Sequence, residues 1–169
     1  KPAVVSLQGN PVTSSEAPFD YGNRQPLLQS FNVNSNGEDF TLAINHFKSK
    51  GSCGSATGNN ADLGDGQGCW NELRTQAAQG LISLVEQNSD VLSDRVIVMG
   101  DLNAYAKEDP ILALEEAGYS NLVNFFDGDS AYSYSFGGEV GYLDHALSSP
   151  SLTEYVVDAT VWHINADEP

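Results

Sequence analysis

The stretch Arg95-Val96-Ile97-Val98-Met99-Gly100-Asp101-Leu102-Asn103-Ala104 constrains this chain more than any other. An apolar, β-branched run that stops at a glycine reads as a buried strand. Asp101 and Asn103 follow, two residues apart. In extended backbone they share one side while Leu102 turns back toward the core. A carboxylate and an amide at the end of a buried strand are costly to hold unless something uses them. An Asx-turn that merely closes the strand is the competing reading, and both stand at this point.

With 169 residues, the chain has length for one sizeable core. No apolar run approaches membrane-spanning length, so no membrane partner is expected. The opening Lys1-Pro2-Ala3-Val4-Val5 reads as an entry into mid-structure, without a signal peptide. Net charge is −16, from 23 acids against 7 bases. Such acidity opposes non-specific attraction to nucleic acid, and it suits a secreted protein working in salt or one that holds cations. Arg24, Lys48, Lys50 and Arg74 lie in or beside the segments singled out below. That gathering points to an anionic substrate, against the simpler reading of chance clustering. Cys53 and Cys69 bracket a loop rich in Gly, Asn and Asp. Without Cys-x-x-Cys spacing or a nearby histidine, a disulfide is favoured over two free thiols, and it implies an oxidising compartment.

Taken in order, Ala3 to Leu7 is a strand candidate and Gly9 to Asn23 a polar loop. Arg24 to Phe31 reads as a strand with Pro26 near its start. Asn34-Ser35-Asn36-Gly37 is a hairpin turn feeding a strand from Phe40 to Phe47. His46 falls at that strand's end, followed by Lys48-Ser49-Lys50-Gly51, which makes an anion-facing rim. Trp70 to Asn88 is helical, with Leu73, Ala77, Leu81, Leu84 and Val85 on one face. Strand, helix and the strand from Arg95 then form a crossover unit with parallel strands. His46 and Asp101 are thereby expected at one sheet edge, where ligands bind in such units. Asp109 and Pro110 signal an N-cap and first helical position, and Gly118 a stop. Ser133 to Phe136, a turn at Gly137-Gly138, a strand from Tyr142 to Leu147 and a last strand from Tyr155 to Trp162 complete the reading. Asp144, between apolar neighbours, is expected to face a cation, a metal or a histidine.

Asn45-His46-Phe47-Lys48-Ser49, Gly100-Asp101-Leu102-Asn103-Ala104 and Leu143-Asp144-His145-Ala146-Leu147 occur in that order. With these motifs the chain resembles the endonuclease/exonuclease/phosphatase superfamily, of DNase I-like fold, over nearly its whole length. Arg24-Gln25-Pro26, the Cys53–Cys69 loop and the closing Trp162 to Pro169 look like its secreted bacterial extracellular deoxyribonucleases. The resemblance implies an α/β (α+β) fold, two packed β-sheets flanked by helices. It implies that His46 binds the scissile phosphate or protonates the leaving oxygen. Asp101 would bind or activate the attacking water, and Asn103 position phosphate or metal. Asp144 matches the carboxylate that orients a second catalytic histidine, Arg24 would contact the DNA backbone, and no role is carried to His145. Lys48 and Arg74 are further candidates for substrate contact.

The superfamily also takes an Asn from its first strand, an early metal-binding Glu, and a terminal Ser-Asp-His. None is found here. Residues 1–169 are therefore expected to be the central and C-terminal part of one catalytic domain. Its N-terminal half and extreme C-terminus would lie elsewhere on the same or another chain, and this chain alone would then be inactive or incomplete. The expected activity is phosphodiester hydrolysis of DNA, with RNA as a second substrate, by a secreted nuclease. Asp101 and Asn103 suit hard, oxygen-preferring Mg²⁺, Ca²⁺ or Mn²⁺. The rival readings are a phosphodiesterase or phosphatase of lipid or inositol phosphates, and a non-catalytic secreted Ca²⁺-binding module. A structural Ca²⁺ at Asp62 and Asp65 is weighed against a simple solvated loop, which is preferred.

Overall fold

A computed structural model describes residues 3–136 and 138–163. In chain order the main elements are β1 (Val5–Thr13), β2 (Leu27–Val33), β3 (Asp39–His46), α1 (Asn71–Gln87), β4 (Val96–Asp101) and α2 (Asp109–Glu116). There follow β5 (Ser120–Asn121), α3 (Leu122–Asp127), β6 (Tyr134–Phe136), β7 (Glu139–Gly141), β8 (Asp144–Ser148) and α4 (Pro150–Thr153). One six-stranded sheet runs β1-β2-β3-β4-β8-β5, and β6 and β7 pair separately. The mixed α/β class is as expected. Of the two expected sheets, the described residues build this one large sheet.

β3 and β4 are parallel, as the crossover reading requires, while β1–β2, β2–β3 and β4–β8 are antiparallel. The turn after β2 closes through Gly37 N–H donating to Val33 O at 2.8 Å, with Gly37 at φ +76°. Alternation then sorts each strand into two sets of side chains. Leu28, Ala43, Val96, Val98 and Leu147 are buried with Ala77, Ala78 and Leu81 of α1 and Ile111 and Leu114 of α2. The intervening Leu27, Ile44 and Met99 remain 49%, 41% and 37% exposed. One face of the sheet is thus a packed core, and the other is apolar and open.

Three expectations are corrected. The loop predicted from Gly9 begins as strand, because β1 runs through Thr13. A register shift between Gln8 and Val12 and the positive φ of Gly9 absorb the irregularity, and Pro11 is tolerated because β1 is an edge strand. Asp109 is the first residue of α2 and not its cap, the N-cap position being Glu108. The Asp109 carboxylate is spent accepting from Asn71 Nδ2 at 2.5 Å. Residues 155–162 form no strand. β5 already holds the sheet edge beside β8, and β-branched residues without a ladder to join do not make a strand. Lys1-Pro2, Gly137 and the stretch Ile164-Asn165-Ala166-Asp167-Glu168-Pro169 lie outside the described residues.

Candidate active site

Register brings the predicted residues together. His46 at the end of β3 stands opposite Asp101 at the end of β4, and Asp101 stands opposite Asp144 at the start of β8. His46 Nε2 lies 3.7 Å from Asp101 Oδ2, and both side chains are more than a third exposed. Gly100 makes the approach of β3 and β4 possible. It adopts φ +128°, and a Cβ there would fall 2.1 Å from the Asn45 carbonyl oxygen. No other residue fits.

The Asp101–Asn103 stretch forms the turn that one of the two readings expected. Asn103 N–H donates to Asp101 Oδ1 at 3.0 Å, an Asx-turn, and Asn103 takes φ +50°. Asn103 Nδ2 donates to the Phe47 carbonyl at 3.0 Å, which leaves its amide oxygen as the group available to a ligand. Leu102 N–H donates to Leu143 O at 2.9 Å, so the residue leading into β8 holds the turn from the other side. Asp101 is pushed above the usual carboxylate range, first by burial, with the Asp144 charge adding to it and His46 and the Asn103 N–H opposing. The neighbouring negative charge thus disfavours ionisation of Asp101.

Asp144 is exposed, and its described partner is the Ser133 hydroxyl, which donates to Oδ2 at 2.9 Å. The expected burial of Asp144 is therefore corrected. Alternation along β8 turns its neighbour His145 inward instead. His145 is 3% exposed, its Nε2 lies 2.7 Å from the Ala104 carbonyl, and its buried Nδ1 has no partner among the described residues. Nε2 must carry the proton to donate to a carbonyl. Burial holds the ring's pKa down at about 4.

The basic candidates separate. Arg24 is exposed beside the site, its N–H donating to the His46 carbonyl at 3.0 Å. Lys48 is folded back, its ammonium 4.9 Å from the Trp70 ring centroid and donating to Ser49 O at 2.8 Å. Arg74 is corrected as a substrate contact, because it is fully buried on the core face of α1. Its guanidinium donates to the carbonyls of Cys69 at 2.9 Å, Gln67 at 3.2 Å and Lys48 at 3.3 Å. It pins the loop that the Cys53–Cys69 disulfide closes. In that loop Asp62 and Asp65 accept from the backbone N–H of Gly64 and Gln67, each at 3.0 Å, as turn-closing residues do.

Sequence reasoning missed Glu108, a buried carboxylate paired with Lys50, and a cleft of about 430 Å³ lined by Lys50, Asn103, Tyr105, Tyr134 and Phe136. The exposed aromatic spacing of Tyr134 and Phe136, two residues apart on one strand, was a signal for that wall. Among the described residues, no three His, Cys, Asp or Glu side chains gather as a metal set. Asp101 and Asp144, with the Asn103 oxygen nearby, still suit Mg²⁺, which is commonly held by one or two carboxylates plus water and substrate phosphate.

The α/β sheet thus sets an imidazole and two carboxylates on adjoining strand ends at one edge. Residues 10–166 match the model of the endonuclease/exonuclease/phosphatase family, and the chain belongs to that family. The comparison with curated proteins gives no match. Solved structures of similar fold include the human nocturnin catalytic domain with bound sulfate anion, at TM-score 0.61 and 17% identity over 86% of this chain and 48% of that one. Humanized D. rerio TDP2 gives TM-score 0.57 and 14% identity over 86% of this chain and 52% of that one. A Bacteroides thetaiotaomicron mannosyl-6-phosphatase gives 0.55 and 12%, over 87% and 54%. The chain spans about half the length of these structures.

Proposed function

We propose that the chain carries one part of a secreted, divalent-metal-dependent phosphodiesterase that cuts nucleic acid, DNA foremost. The observation that carries this reading is the register that sets His46, Asp101 and Asp144 on three neighbouring strand ends. In it, Asp101, whose proton affinity is raised by burial and by Asp144, takes the proton of the attacking water. His46 stands 3.7 Å away to hold the phosphate or supply a proton to the leaving oxygen. Asn103, fixed through Phe47 and Asp101, presents its amide oxygen to metal or phosphate. Asp101, Asn103 and Asp144 are the residues that would hold Mg²⁺, Mn²⁺ or Ca²⁺, which supplies charge neutralisation for the phosphoryl oxygens. Arg24 reaches the backbone beside the site.

Nucleic acid is favoured over lipid or inositol phosphates by the exposed aromatic wall of Tyr134 and Phe136 beside Asn103, since rings of this kind stack on bases. D. rerio TDP2 complexed with single-strand DNA product is among the structures of this fold, at TM-score 0.52. The disulfide supports secretion. The open apolar face at Leu27, Ile44 and Met99 is where the remaining part of the catalytic domain, on the same or another chain, would pack. Plasmid DNA, inositol phosphates and Mg²⁺ or chelator form the test, with the chain alone and with a longer polypeptide. Mg²⁺-dependent plasmid nicking is expected. Turnover of inositol phosphates only, or calcium binding without any turnover, would select a rival reading.

A further inference from the structure

The chain has only seven lysines and arginines, and two of them converge on one buried carboxylate. Glu108 Oε1 pairs with Lys50 Nζ, and its Oε2 lies 3.9 Å from Arg74 Nη2. Side-chain exposure falls from 28% at Lys50 to 6% at Glu108 and none at Arg74. One carboxylate cannot neutralise two cations, so the cluster carries a surplus positive charge. Only Lys50 reaches solvent to express it. Asp62 acts on Lys50 more weakly than Glu108 or Arg74 does, and its exposed loop position leaves it screened by solvent.

The place where that charge emerges is specific. Lys50 forms a wall of the 430 Å³ cleft shared with Asn103, Tyr105, Tyr134 and Phe136. Its ammonium is 4.9 Å from the Tyr105 ring centroid and donates to Gln67 O at 3.2 Å. Asn103 belongs to both the cleft and the turn bonded to Asp101. A ligand running from the carboxylates into the cleft therefore passes an over-compensated cation within a molecule of net charge −16.

We propose that Lys50, set in place by Glu108 and Arg74, is an anion subsite that receives a phosphate neighbouring the one cleaved. The proposal rests on the phosphodiesterase reading above and gives buried Arg74 a positioning role through Glu108. Fluorescence anisotropy of a labelled single-stranded oligodeoxynucleotide, with chelator present to prevent turnover, tests it in the parent, Lys50→Gln, Lys50→Met and Lys50→Arg. Circular dichroism checks that each variant is folded. Lys50→Gln and Lys50→Met should each weaken binding about fivefold or more and lower the slope of log Kd against log salt by about 0.7, one phosphate contact on a single strand. Lys50→Arg should keep most of both.

An unchanged Kd and salt slope in the two neutral variants overturns the proposal, as does a parent that binds no oligonucleotide. A Lys50 effect seen only when the oligonucleotide bears a 5′-phosphate also overturns it, in favour of a terminal-monoester site. Hydrolysis of bis(p-nitrophenyl) phosphate by the parent with Mg²⁺ is run alongside. If a longer polypeptide carrying the rest of the catalytic domain is inert there as well, while oligonucleotide binding still depends on Lys50, the phosphodiesterase reading falls and the anion subsite stands.

Discussion

The two faces of the six-stranded sheet are written in the same strands yet serve opposite ends. On the helix-covered face Leu28, Ala43, Val98 and Leu147 have no exposed surface, whereas Leu27, Ile44 and Met99 on the other face are substantially open. His46, two residues beyond Ile44, and Asp101, two beyond Met99, continue the open side to the strand ends. His145 belongs to the covered side and Asp144 to the open one. Stability is thus concentrated behind the sheet and polar chemistry in front of it. A change on one face should therefore spare the property carried by the other.

The largest effect expected is that of Asp101→Asn, a loss of about 10³-fold in phosphodiester turnover. Its Tm at neutral pH should be no lower than the parent's. The sign follows from the raised pKa of Asp101. A carboxyl that binds its proton more tightly when folded favours the folded state in acid and loses that contribution as pH rises through its folded pKa. The ionised group therefore opposes folding at neutral pH, and removing it gives a small rise in Tm that fades in acid. A fall of several degrees would break the separation of the two faces.

Leu147→Ala, on the covered side, should cost roughly 2–5 kcal/mol in denaturant unfolding. His145→Gln sharpens the comparison further. With its folded pKa down at about 4 against an ordinary 6.5, His145 contributes stability that is complete above the unfolded value. That contribution is lost as pH falls through the interval, amounting to about 3 kcal/mol at its acid end. Unfolding midpoints from pH 7 to pH 4 should fall less steeply in His145→Gln than in the parent. The smallest effect is that of Ile44→Ala on the open face, under about 1 kcal/mol in the same assay. A cost equal to that of Leu147→Ala would show the open face to be covered already.

The sheet and the site edge were legible in the sequence for a definite reason. Val96 to Met99, ended by Gly100, and the alternating Phe40 to Ile44 report strands through local pattern, and the helix between them fixes their parallel pairing. Once β3 and β4 are parallel, His46 and Asp101 must meet. Asp144 was placed beside them by its motif, but its exposure was misread. The apolar residues around it do not say which face each occupies, and only pairing with β4 does. Arg74 was read as a surface cation because a helix normally sends arginine to water. Its burial depends on carbonyls of Gln67 and Cys69 brought in by the disulfide loop, a long-range closure with no local pattern. The same holds for Glu108, whose partners are 58 residues away at Lys50 and on α1 at Arg74. The strand expected over residues 155–162 failed because propensity was legible and the lack of a free sheet edge was not.

The claim that His46, Asp101 and Asp144 form one cation-binding, hydrolytic edge is tested most directly by adding substoichiometric Mn²⁺ and following backbone amide signals by NMR. The signals of His46, Asp101, Asn103 and Asp144 should broaden away first, while Phe40 and Val96, at the far ends of the same strands, persist. Broadening centred on Asp62 and Asp65, or spread evenly over the acidic surface, would contradict the account.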